Sequence, residues 1–287
     1  ELWLCPECRA MTTMPKLNDQ ELQKYYQGVY YGRRKSFVDH FINNERVKTV
    51  EKLKPKNSSP SLLDIGCGNG LFLNDLKKTG GEIAGTELAP ESHVHPDVLP
   101  FVCKKPINEC SFAEESFDII TMWHTLEHFT NPSLYLQEAN RILKKSGILI
   151  VEVPNFKSWQ FFLTRQYWFA LETPQHRTHF SPKALKTILE KNGFEIIKIS
   201  YGNFFYDVFG FTQSVLNSVC GQKNILFYIL NGKFFALPKR ARNILDVFIT
   251  IMLTPPLSII GVILFFIEVA TKHGGTIRVF AQKTEVV

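Results

Sequence analysis

Leu62-Leu63-Asp64-Ile65-Gly66-Cys67-Gly68-Asn69-Gly70 decides how the rest of this 287-residue chain is read. A short apolar run carries an acid near its end, then sets glycine at every second position before Leu71-Phe72-Leu73 opens an amphipathic stretch. That order predicts a buried strand, a tight turn and a helix. Glycine lets the backbone turn sharply and come close to a ligand that a Cβ would repel. Asp64, at the carboxyl end of the strand, stands where it can hold an amino group of such a ligand directly or through water. The next strand ends in Gly85-Thr86-Glu87, which sets a second carboxylate where it can accept from both hydroxyls of a ribose. The spacing departs from the dinucleotide fingerprint G-x-G-x-x-G, because Gly70 follows Gly68 after one residue. A purely structural glycine turn is the competing reading of the motif taken alone.

Outward from this turn, short apolar runs alternate with longer amphipathic ones, the pattern of a parallel α/β sheet. Strands are predicted over Ser61 to Ile65, Glu82 to Thr86, Val98 to Cys103, Phe117 to Met122, Gly147 to Val153, Phe194 to Tyr201 and Thr276 to Gln282. Helices are predicted over Leu71 to Thr79, Pro132 to Lys144 with Asn131 as cap, and Pro182 to Asn192 between Ser181 and Gly193. Leu17 to Lys54 reads as helical with aromatic content, and Pro55 to Pro60 as a loop.

With these residues in view, the sequence resembles the class I S-adenosylmethionine-dependent methyltransferases. The first motif of that family is D/E-x-G-x-G-x-G and its second is an acid ending the second strand; Asp64, Gly66, Gly68, Gly70 and Glu87 occupy those positions. Ser116-Phe117-Asp118-Ile119-Ile120 with Trp123-His124-Thr125-Leu126-Glu127-His128 is similar to the fourth strand and its "LEH" turn. Leu143 to Ile150 resembles the turn into the fifth strand, and Phe180-Ser181-Pro182 through Gly193-Phe194-Glu195 the last helix and sixth strand. The resemblance implies a Rossmann-like α/β fold with a seven-stranded, mostly parallel sheet flanked by helices. It also implies S-adenosyl-L-methionine as cofactor, S-adenosyl-L-homocysteine as product, and cofactor contacts from Asp64, Gly66, Cys67, Gly68, Gly70, Glu87, Leu88, Trp123 and His124. Phe101 to Phe112 lacks the family's common Gly-Asp pair, so no adenine contact is assigned there.

Methyl transfer to a hydroxyl requires alignment, exclusion of water and removal of a proton, and histidine is the usual group for the last task. His124, His176 and His179 are the candidate general bases; the last two lie in the polar segment Pro174-Gln175-His176-Arg177-Thr178-His179-Phe180. His128, beside Glu127, reads as a bracing histidine, and Arg177 as either an anchor for an acidic substrate group or half of a surface ion pair. Tyr25-Tyr26-Gln27-Gly28-Val29-Tyr30-Tyr31 resembles an N-terminal lid over the cofactor, with simple helix packing as the alternative.

The domain organisation follows. Residues 1–16 hold Cys5-Pro6-Glu7-Cys8, half of a zinc-ribbon-like site with no second C-x-x-C, so no bound metal is expected. Residues 17–60 form the helical lid, 61–201 with 274–287 the catalytic domain, and 202–273 a hydrophobic helical insertion. Within the insertion, Ile244 to Ala270 is almost wholly apolar, but Pro255-Pro256 divides it into runs well short of the ~20 residues that cross a bilayer. Lys239, Arg240 and Arg242 precede it and Lys272 and His273 follow, so both ends favour the cytoplasmic side. A monotopic or re-entrant helical hairpin is expected, giving peripheral membrane contact through residues 225–270. A dimer interface or a cap packed on the sheet is the competing reading.

The formal net charge of +6 is spread along the chain, which argues against nucleic acid as a partner. Six cysteines are too few for a disulfide framework; Cys67, Cys103, Cys110 and Cys220 stand singly, which suits a reducing cytoplasm. The expected function is O-methylation of a small-molecule, lipid or lipid-linked glycan acceptor on the inner face of a membrane. The rival is a catalytically silent methyltransferase-like scaffold. A nicotinamide-dependent oxidoreductase is disfavoured by the glycine spacing.

Overall fold

Leu149, Ile150, Val151 and Val153 are fully buried on alternating sides, which requires a strand covered on both faces. The computed structural model describes residues 1–15, 17, 21, 25, 37–53, 60–88, 93–232 and 244–284. Its strands are β1 (Leu2–Leu4), β2 (Met11–Thr13), β3 (Ser61–Ile65), β4 (Glu82–Thr86), β5 (Val102–Cys103), β6 (Phe117–Trp123), β7 (Leu143–Pro154), β8 (Thr178–His179), β9 (Phe194–Tyr201) and β10 (Thr276–Lys283). Seven of them form one sheet in the order β5-β4-β3-β6-β7-β10-β9. Six run in one direction and β10 alone is antiparallel, to both β7 and β9. This is the expected Rossmann-like sheet.

The helices are α1 (Phe37–Glu51), α2 (Leu71–Lys77), α3 (Pro132–Ile142), α4 (Trp159–Thr164), α5 (Pro182–Lys191), α6 (Phe204–Val219), α7 (Ile225–Leu230) and α8 (Ile244–Ala270). Strand alternation divides the core into two layers. Leu63, Ile65, Ile120 and Met122 pack with Leu136 and Ala139 of α3 and Leu185 and Leu189 of α5. Leu62, Ile119 and Ile150 face the opposite way, against Val47 and Val50 of α1 and Phe72, Leu73 and Leu76 of α2. Ser181 caps α5 by accepting from Ala184 N, whereas the Asn131 side chain makes no capping bond to α3.

Three expectations need correction. The predicted third strand shrinks to Val102–Cys103, because Leu99–Phe101 form a 3-10 turn around Pro100, which has no N–H for a ladder. Cys103 and Cys110 are not single thiols: the turn Ile107–Glu109 folds the chain back and the two are joined as a disulfide. The apolar segment is not a hairpin but one continuous helix of 27 residues, Pro255 and Pro256 included. The prolines remove the two backbone donors that would reach the carbonyls of Ile251 and Met252, and the helix is supported by packing against α6.

α8 turns the usual amphipathic pattern inside out. Asp246, Thr250, Gly261 and Glu268 form a buried stripe of polar and small residues toward the protein. Asp246 accepts from Gly221 N and Gln222 N at 3.2 Å, and Glu268 from Gln160 N at 3.0 Å, so both ends are pinned. Ile244, Phe248, Ile259, Ile263 and Phe266 stand exposed on the far side. By length and composition α8 is the one helix among the described residues fit to cross a membrane.

β1 and β2 form a hairpin whose turn carries Cys5 and Cys8, and β8 joins β2 to make a separate three-stranded sheet. Of residues 17–60, most of the tyrosine-rich stretch and the loop at 55–59 lie outside the described residues, as do Lys239, Arg240 and Arg242.

Candidate active site

A cavity of about 2050 Å³ opens at the carboxyl ends of β3, β4, β6 and β7. Ligand pockets commonly hold on the order of 300–1,000 Å³, so this one has room for two molecules side by side. Its walls come from the glycine turn, from the segment after β6, from the loop before β8 and from α6, α7 and α8.

At one end lies the glycine turn. Gly66 has φ +73, and a Cβ there would meet Thr125 Cγ2 at 2.4 Å, so no other residue fits without displacing the neighbouring loop. Gly68 has φ +57 and nothing within 4 Å, which leaves its backbone bare to the cavity. Gly66 N and Cys67 N both donate to Thr86 O, tying the turn to β4. Asp64 is 3% exposed and accepts from Thr121 Oγ1 at 2.6 Å. Burial pushes its carboxyl up to about 7 against that hydrogen bond. Glu87 accepts from Gly68 N at 2.8 Å. Cys67 is buried beside Gly85, where a Cβ would lie 3.0 Å from its sulfur, and desolvation drives its thiol upward. Leu88 stands exposed at the rim, and Trp123 is packed edge-on against Phe72. Asp64, Gly66, Cys67, Gly68, Glu87, Leu88, Trp123 and His124 all border the cavity, whereas Gly70 sits behind it at the start of α2.

His124 follows β6 with φ +51, a left-handed conformation uncommon outside glycine. Its Nδ1 lies 3.4 Å from Glu127 Oε1 and its Nε2 3.3 Å from Glu152 Oε1. Burial disfavours the charged ring, but the two carboxylates outweigh it and lift His124 to about 10. It is therefore a cation at neutral pH, covered by the Tyr206 ring at 4.4 Å between centroids. Glu152, fully buried, is held well below the ordinary carboxylate range: burial opposes its charge, but Arg278, His124 and Arg46 prevail.

His176 borders the cavity although only 5% of it is exposed. Its Nδ1 lies 2.8 Å from Ala170 O, its Nε2 lies 3.3 Å from Glu172 Oε2, and burial lowers its basicity. His179 is not on the cavity wall: it lies on β8 with Nε2 3.4 Å from Thr13 Oγ1, and burial with His176 brings it down to about 3. Arg177 is likewise buried away from the cavity and directs its guanidinium at Leu17 O, so it is neither a substrate anchor nor a surface ion pair.

Several wall residues escaped sequence reasoning. Arg46 of α1 stacks over Trp123 at 4.9 Å, and Asp207 of α6 is 2% exposed, with Oδ2 accepting from Gly275 N at 2.9 Å while Oδ1 meets no donor among the described residues. Burial and the nearby Glu268 raise the Asp207 carboxyl well above its ordinary value. A lone acid in the first turn of an apolar helix gives no hint of this, since its partner lies 68 residues later in the chain. Thr254 and Ser258 of α8 also reach the wall.

Residues 36–199 match the family described as a methyltransferase domain. A ubiquinone biosynthesis O-methyltransferase of Bartonella tribocorum is 27% identical over 169 residues, covering 54% of this chain and 65% of the relative. One of Idiomarina loihiensis is 26% identical over 189 residues, covering 61% and 77%. The chain thus spans less than two thirds of the length of the first of these. Among solved structures, a SAM-dependent methyltransferase of Thermotoga maritima superimposes with TM-score 0.50 at 18% identity, covering 92% of this chain and 96% of that one.

Proposed function

The chain belongs to the class I S-adenosylmethionine-dependent methyltransferase family, and on that footing we propose that it O-methylates a lipid or lipid-linked small-molecule acceptor at a membrane surface. The observation that carries this reading is a shared wall: the bare glycine turn and the polar side of the apolar helix α8 border one cavity.

The residues at the glycine turn suit the family's cofactor. Gly68 offers backbone with open space before it, Asp64 a buried carboxyl for an amino group, and Glu87 a carboxylate at the tip of β4 for a ribose diol. When bound, the cofactor supplies a methyl group already activated on sulfur. The protein's work is then alignment, exclusion of water and management of the acceptor's proton. His124 cannot take that proton while Glu127 and Glu152 keep it charged; its positive charge beside the cavity favours an anionic acceptor oxygen instead. His179 is shut away behind the wall, which leaves His176 as the neutral ring bordering the cavity. The acceptor's hydroxyl is proposed to lie at that end of the cavity.

The acceptor class is argued from α8. A face of large exposed apolar side chains on a helix whose other face is bonded to the protein suits the boundary of a bilayer. The pinning of both ends to the domain favours a helix lying in that boundary over one crossing it. Phe205 and Phe209 of α6 and Phe227 and Leu230 of α7 line the cavity and suit an apolar acceptor tail. Relatives named for ubiquinone biosynthesis support an O-methylated acceptor. Incubation with methyl-labelled cofactor and a bacterial lipid extract tests the proposal. Label should enter the organic phase with the wild type and not with Glu87→Ala; label confined to the aqueous phase would reject the lipid acceptor.

A further inference from the structure

The loop after β6 and the loop before β8 bring Glu127, His128 and His176 together, with one nitrogen or oxygen atom of each within 4.8 Å of the others. The two loops are locked to each other, since Arg177 N donates to Glu127 O at 2.8 Å and His128 Nδ1 donates to Gln175 O at 3.2 Å. His176 Nδ1 donates in the same way to Ala170 O. Carbonyls can only accept, so in each neutral ring the proton sits on Nδ1 and the lone pair on Nε2. This is the arrangement in which backbone carbonyls orient imidazoles for a metal ion.

One further observation favours a cation here. Among the described residues neither carboxylate oxygen of Glu127 has a well-aligned hydrogen-bond donor, and its nearest cation, His124 Nδ1 at 3.4 Å, is shared with Glu152.

We propose that Glu127, His128 and His176 bind one divalent transition-metal ion, with the open side of its coordination sphere toward the acceptor end of the cavity. Two imidazoles and a carboxylate suit Zn²⁺ and its first-row neighbours better than Mg²⁺ or Ca²⁺. Three protein ligands with an open position is the composition of a site that takes up an exogenous oxygen. Bonds of roughly 2.1 Å allow two ligands to be at most about 4.2 Å apart, so the set closes by about 0.6 Å on binding. The ion's role toward the acceptor rests on the methyltransferase reading; the ion site itself does not.

The test uses chelator-treated protein carrying Cys5→Ser and Cys8→Ser, which removes the other candidate ligands. Zn²⁺ binding is measured by calorimetry and Co²⁺ binding by its visible spectrum, with S-adenosylhomocysteine affinity as an independent readout of folding and of the cofactor site. One ion per chain is expected, with a cobalt spectrum free of thiolate bands. Glu127→Gln and His176→Gln should each weaken it at least about tenfold while the nucleoside affinity holds. Absence of stoichiometric binding in protein that binds the nucleoside overturns the site, as does binding unchanged by both substitutions. Ion binding without nucleoside binding upholds the site and removes the methyltransferase reading instead.

Discussion

Arg278 and Glu152 stand directly opposite each other on the antiparallel strands β10 and β7, with Arg278 Nε donating to Glu152 Oε2 at 2.8 Å. From this pair a line of alternating charge runs outward: Arg278 Nη1 to Glu45 at 2.6 Å on one side, Glu152 to His124 and on to Glu127 on the other. The acceptor end of the cavity is thus anchored in the sheet through ionic contacts. Replacing Arg278 by Met leaves Glu152 charged, buried and without its main partner. Such a loss costs about 3–5 kcal/mol, and urea unfolding of Arg278→Met should show a drop of that order; a change near zero would mean the line carries no stability.

The charge on His124 sets a pH dependence. Folded His124 titrates near 10, above the ordinary 6.5, so the native state keeps a proton that the unfolded chain releases in between. Its stabilisation is complete below pH 6.5 and lost as the pH rises toward 10, by at most about 1.4 kcal/mol per pH unit. His179, brought down to about 3, acts in the opposite sense and lowers stability as the pH falls from 6.5. Urea unfolding at roughly pH 7 and 9 should show the wild type losing more stability over that interval than His124→Gln does.

Gly66→Ala tests the glycine turn. The new methyl group meets Thr125 Cγ2 at 2.4 Å in a backbone region that disfavours any side chain. A loss on the order of 1–3 kcal/mol is expected, together with weaker S-adenosylhomocysteine binding by calorimetry. The double variant Gly66→Ala/Thr125→Gly should recover part of both, since it removes the clashing side chain and not the φ strain.

The exposed face of α8 gives a fourth expectation. Ile263→Lys/Phe266→Lys changes residues that are 58% and 63% exposed, so thermal stability in detergent should stay within about 1 kcal/mol of wild type. Flotation with anionic phospholipid vesicles should fall sharply. Equal flotation of both proteins would argue that this face serves another purpose.

How much of this was legible beforehand varies with the range of the interactions. Ser61–Ile65, Glu82–Thr86 and Phe194–Tyr201 lie where apolar periodicity sets them, and the glycine turn takes its predicted form because φ preference and close packing are local matters. Leu99–Phe101 departed from the expected strand because one proline outweighed an apolar run. The reading of α8 as two halves gave Pro255 and Pro256 the weight they carry in an isolated helix and overlooked the support of a neighbour packed along it. At the site, Asp64, Glu87 and the glycines were readable from spacing, whereas the placing of His176 on the wall and His179 behind it depends on the pairing of β8 with β2. Asp207, Glu152 and Arg46 draw their meaning from contacts across dozens to hundreds of residues, for which one sequence offers no periodic signal.

That pairing of β2 with β8 also bears on the order of assembly. Thr13 Oγ1 donates to His176 O at 2.7 Å across 163 positions, while β3 and β4 are near neighbours in sequence. Joining distant ends of a chain carries a larger entropic penalty than closing a short loop. During synthesis the N-terminal ribbon leaves the ribosome first and has to wait for its third strand, whereas β3 and β4 can pair as soon as both are out.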